Sequence, residues 1–97
     1  MEVRIQAIHF DIAEKLTSFI NKKAERLARH NTSISDVDVT LKVVKPETAM
    51  NKEASVKVTT PQHEDLFASK IADSFEEAID LCLEAIERQL EKKKNTK

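Results

Sequence analysis

The chain has no glycine, no tryptophan and no tyrosine, and it has one cysteine and two prolines among its 97 residues. Each shortage excludes something. Without glycine, a Gly-rich loop that wraps a nucleotide phosphate is ruled out. Without tyrosine or tryptophan, single-stranded RNA cannot be read by stacking bases on those rings, and the four phenylalanines are better used as core. A single cysteine, Cys82, rules out an intramolecular disulfide framework and fits a reducing cytosol. No apolar run approaches the ~18 residues of a membrane span, and no basic region followed by an apolar block opens the chain, so a cytoplasmic location is expected. Net charge of either sign is also missing, since 16 bases stand against 17 acids.

What is present is periodicity. Val3, Ile5 and Ala7 alternate with Arg4 and Gln6, which predicts a short half-buried strand. "DIAE" predicts a helix start with Asp11 as cap and Glu14 as reciprocal carboxylate; Ile12, Leu16, Phe19, Ile20 and Leu27 then follow at helical spacing to about Arg29. Val37, Val39, Leu41 and Val43 alternate with polar residues up to Lys45, and Pro46 marks the turn that follows. Ala54, Val56 and Val58 give a third strand, and "LFASKIA" a fourth with apolar residues on both faces. "SFEE" repeats the capping pattern at Ser74 and Glu77, and an apolar stripe from Phe75 through Cys82 to Leu90 predicts a helix to about Lys92. The expected fold class is α+β, a βαβββα two-layer sandwich with both helices on one face of a four-stranded, mostly antiparallel sheet. The expected organisation is a single domain over residues 1–92 with a frayed basic tail over 93–97.

Neutral in total, the chain sorts its charges locally. Glu64 to Glu87 holds eight acids and one base, whereas Arg88 to Lys97 holds five bases and one acid. At ~100° per residue, Lys15, Lys22, Arg26 and Arg29 fall within ~60° of one another on the first helix, and Lys23 lies at the edge of its apolar stripe. On the second helix Glu76, Asp80, Glu84, Glu87 and Glu91 share a flank, with Arg88 and Lys92 on another. Two basic helix faces side by side would form a patch for phosphates, with salt-sensitive affinity. Against this stands the plainer reading that these charges are a solvated surface. The Glu84 carboxylate is expected to be silent in such binding.

No constellation for catalysis emerges. His9, His30 and His63 are far apart and would have to converge on a stripe cysteine to bind a metal, so neither a metal site nor a cofactor is expected. Cys82 reads as a buried, inert thiol, and Glu76 and Glu77 read as first-turn acids. An enzyme is not expected.

Four stretches together resemble the ribosome hibernation-promoting factor family, which includes the ribosome-associated inhibitor of translation and was once called sigma-54 modulation protein. They are "IAEKLTSFINKKAERL", "VTLKVVK", "FASKIADSFEEAID" and "IERQLEKKK", with "AID" followed by "RQLxK" the most specific element. The family's fold is similar to double-stranded-RNA-binding domains. The resemblance implies a translation inhibitor that sits between head and body of the small ribosomal subunit, overlaps mRNA and tRNA in the decoding region, and silences ribosomes in starvation or stationary phase. It also implies rRNA contacts through Lys23, Arg26, Lys42, Arg88 and Lys92, with Arg29, Lys93 and Lys94 as neighbours. With Lys22 from the helix face, the candidate rRNA-binding set is Lys22, Lys23, Arg26, Arg29, Lys42, Arg88, Lys92 and Lys93.

The chain departs from the family where Ser74, Phe75 and Glu76 replace "DMY" and where Ala85 replaces a lysine. It ends at Lys97, similar to the short form without a ribosome-pairing domain. The expected partner is the small subunit, through rRNA and secondarily ribosomal proteins. No membrane and no small-molecule substrate is expected, and the chain is expected to be monomeric off the ribosome. The competing readings are a module for other structured RNA and a protein-interaction domain that uses the open sheet face.

Overall fold

A computed structural model describes residues 1–44, 49–61 and 64–95, with side chains through Lys92. The order is β1 (Glu2–Ile8), α1 (Glu14–His30), β2 (Asp36–Val43), β3 (Lys52–Thr59), β4 (Leu66–Ala72) and α2 (Phe75–Asn95). The expected βαβββα succession is therefore the observed one. The strands lie side by side in chain order, with β1 parallel to β2 and the remaining pairs antiparallel. Registers such as Ile5↔Val39, Val39↔Val56 and Val56↔Ala68 carry one apolar row across the sheet. Strand alternation puts Val37, Val39, Leu41, Ala54, Val56 and Val58 on one buried face.

Both helices close over that face. Leu16, Ile20, Ala24 and Leu27 of α1 and Ala78, Ile79, Cys82, Ile86 and Leu90 of α2 join the strand residues in one core. Full burial of each large aliphatic side chain stabilises the fold by roughly 1.5–3 kcal/mol. Cys82 is buried as expected, and its thiol donates to the Ala54 carbonyl at 3.1 Å. The Lys23–Asp80 contact near the middle, and the groove shared by His30, Asn31, Glu87 and Glu91 further on, make α1 and α2 parallel neighbours.

The helix entrances differ. At α2, the Glu77 backbone N–H donates to Ser74 Oγ at 3.1 Å, the cap its sequence predicts. At α1 the predicted capping box of Asp11 and Glu14 does not form. Ala13 is the cap residue, extended and without a side-chain bond, and its carbonyl accepts from the Leu16 and Thr17 N–H groups. Apolar contacts fix this entrance instead. Ile12 packs on the core, and Phe10 stacks on Phe75 with centroids 5.2 Å apart, leaving Asp11 exposed.

With no glycine available, His9 (φ 63°) and Met50 (φ 55°) take the left-handed positions among the described residues. Helix α2 runs to Asn95, three residues past the expected end at Lys92. The turn at Pro46, His63, and the side chains of Lys93 and Lys94 lie outside the described residues.

Candidate nucleic-acid interface

The residues proposed for one basic surface are distributed over three. Lys15, Lys22, Arg26 and Arg29 are exposed along α1; Arg26 borders the groove toward α2, and Arg29 lies beside Met1, Glu25 and Ile34. Among the described residues none of the four is in an ion pair. These four cations are available to an anionic partner.

Lys23 is different. It lies between the helices, half-buried, with its ammonium 3.2 Å from Asp80 and 5.4 Å from the Phe19 ring centroid. Its stem lies at the edge of the apolar stripe, as the sequence predicts, but its charge has two partners. Beside it a groove of about 290 Å³ has Lys23 and Arg26 on one wall and Asp80, Glu84 and Glu87 on the other, with Leu27 and Leu83 below.

The two basic helix faces are thus not side by side. At ~100° per residue, Asp80, Glu84, Glu87 and Glu91 fill a sector of about 60° on α2, next to Leu83 and toward α1. Arg88 and Lys92 lie beyond that sector, on the far flank. Arg88 also pairs with Glu84 one turn earlier, both groups remaining exposed. An acidic stripe therefore separates the α1 cations from the α2 cations.

Lys42 lies on the opposite side of the molecule. Its neighbours Leu41 and Val43 turn toward the helices, so Lys42 projects from the open sheet face, across from Glu53 and Ile8. That face is not a basic one. Arg4 there makes a two-toothed contact with Asp38 and also meets Glu2 and Asp36, and Lys57 pairs with Asp65. The hydrogen bond from Arg4 holds the Asp38 carboxyl below the usual carboxylate range. On β4, Phe67 and Ile71 are 58% and 43% exposed on the same face.

Three of these placements had signals in the sequence. Strand alternation assigns Lys42 to the face of Asp38 and Thr40, away from the core. The i,i+4 spacing of Glu84 and Arg88 signals their pair, and the same spacing brings Lys23 beside Phe19. The contact between Lys23 and Asp80 had none, because it depends on how the two helices are rotated against each other.

Among the described residues, no three histidine, cysteine, aspartate or glutamate side chains are grouped to hold a metal. No described helix is long and apolar enough to cross a membrane.

Comparison with known proteins places the chain. Residues 3–97 match the family described as sigma 54 modulation protein / S30EA ribosomal protein, and the chain belongs to that family. The ribosome hibernation promoting factor of Azotobacter vinelandii is 31% identical over 98 residues, covering 97% of this chain and 83% of that protein. The factor of the same name from Pseudomonas putida is 28% identical, covering 97% and 87%. A ribosomal subunit interface protein from Coxiella burnetii shares the fold with a TM-score of 0.86 at 23% identity, covering 99% of this chain and all of that one. The N-terminal domain of Protein Y from Thermus thermophilus shares it with a TM-score of 0.77 at 19% identity, covering 95% and 98%. By its family the chain is not an enzyme.

Proposed function

We propose that this chain is a ribosome hibernation factor that docks the unpaired cations of α1 on small-subunit rRNA. The observation that carries the reading is the exposed row of Lys15, Lys22, Arg26 and Arg29, free of intramolecular partners among the described residues. Relatives named ribosome hibernation promoting factors support it. Phosphate oxygens suit such a row, because guanidinium and ammonium groups bind them without base-specific geometry. Arg88 and Lys92, beyond the acidic stripe, make a second contact. In this reading the protein is cytoplasmic, acts as a monomer, and lies in the decoding channel, where it excludes mRNA and tRNA under starvation.

Co-sedimentation with isolated small subunits tests the reading, with tRNA as competitor. Wild-type protein is expected in the subunit fraction and is expected to be displaced by tRNA bound in the channel. Arg26→Glu is expected to lose at least about tenfold in affinity, the scale of one charged hydrogen bond. Full retention of the variant would exclude α1 as the docking face, and indifference to tRNA would place the site elsewhere on the subunit.

One observation favours a second reading. Phe67 and Ile71 give the open sheet face an apolar strip next to balanced charges, which suits a protein partner better than RNA. Binding that does not respond to salt would favour that face.

A further inference from the structure

The acids of α2 stand where a patch meant only to collect phosphates would carry bases. Asp80 holds the Lys23 ammonium at 3.2 Å, and Glu84 holds Arg88. With Glu87 they form one wall of the groove whose other wall bears Lys23 and Arg26. Exposed pairs of this kind add about 0–1 kcal/mol to stability, too little to explain an anionic wall beside a cationic row. They act more strongly on a polyanion. A cation already neutralised by a carboxylate releases fewer of the counterions condensed on the nucleic acid, and a phosphate arriving there must also come close to the displaced acid.

We infer that Asp80 and Glu84 are specificity-determining residues that restrain the chain from binding arbitrary RNA. This rests on the α1 docking reading for its cognate target, but not for its test. A continuous phosphate rail laid across the helix layer meets the α1 row and then the acidic stripe. Only a surface with phosphates opposite the cations, and none opposite Asp80 and Glu84, avoids the repulsion. On this inference Glu84 is not silent in binding, because it pairs with Arg88.

The test measures binding of wild type, Asp80→Asn, Glu84→Gln and the double variant to a short RNA duplex of arbitrary sequence, over a series of salt concentrations. Isolated small subunits serve as a parallel target. Glu14→Gln controls for net charge, because Glu14 is exposed and is in no ion pair among the described residues. On the duplex, each single variant is expected to steepen the log–log salt slope by about 0.7–0.9, and the double variant by nearly twice that. Affinity for the duplex at low salt is expected to rise severalfold, and affinity for small subunits by clearly less. The inference is overturned if duplex binding is unchanged, if Glu14→Gln gains as much, or if both targets gain equally. Failure of the wild type to bind small subunits would count against the docking reading alone, because the duplex series reads the acids directly.

Discussion

Helices α1 and α2 lie parallel on the same sheet face, yet they divide the work. Helix α2 buries Ala78, Ile79, Cys82 and Ile86 almost completely over β3 and β4, and Asp80, Glu84 and Arg88 on its charged side are in ion pairs. Helix α1 sets Ile20, Ala24 and Leu27 into the core and leaves four cations without partners among the described residues. Similar numbers of charged side chains therefore do different things. What separates them is the geometry of their neighbours, since a cation is available to a partner only where no carboxylate is within reach.

The comparison breaks most visibly in stability. Ile86→Ala empties a fully buried site in α2 and is expected to cost about 2–5 kcal/mol in denaturant unfolding. Arg26→Glu on α1 should stay within about 0.5 kcal/mol of wild type. A destabilised Arg26→Glu variant would mean that the α1 row supports the fold, and its loss of ribosome binding could not then be assigned to contact.

Cys82 sharpens the same contrast from inside α2. Burial pushes its thiol up to about 11, against an ordinary value of 9.0. The unfolded chain therefore releases this proton at lower pH than the folded one. The contribution is intact below pH 9 and declines as pH rises from about 9 to about 11. Cys82→Ala should remove that part of the alkaline decline while costing ~1–2 kcal/mol at neutral pH through a small cavity. Rapid alkylation of the native thiol would contradict this burial.

The smallest effect lies at a left-handed residue just before β3. Met50 is left-handed, with its N–H donating to Asp73 Oδ1 at 2.8 Å shortly before α2, and His9 holds the equivalent conformation before α1. Glycine pays no Cβ penalty there but gains entropy in the unfolded chain, so Met50→Gly should stabilise by about 0.5–1 kcal/mol. Destabilisation by thermal melting would show that the exposed Met50 side chain does more than cover the turn.

Much of this was legible from residue order. Period-two alternation in Val37–Val43 and the helical spacing of Phe75–Leu90 gave the elements, and the hydroxyl of Ser74 gave a cap that the structure contains. Asp11 misled because capping patterns are local, whereas the stacking of Phe10 on Phe75 joins residues far apart in the chain. The candidate surface was only partly legible. Helical angles gathered Lys22, Arg26 and Arg29, but they could not say that Asp80 would meet Lys23, because that contact depends on how the two helices are rotated against each other. Lys42 could have been assigned to the open sheet face from alternation alone.

The most direct test of the central claim is the salt dependence of affinity for isolated small subunits, measured for wild type, Arg26→Gln and Arg88→Gln. Four to six phosphate contacts predict a log–log slope of roughly -3 to -5 for the wild type. Removing the unpaired Arg26 should flatten it by about 0.7–0.9, and removing the paired Arg88 by less than half as much. A flat wild-type slope, or equal flattening by the two variants, would contradict the claim that unpaired cations of α1 form the docking face.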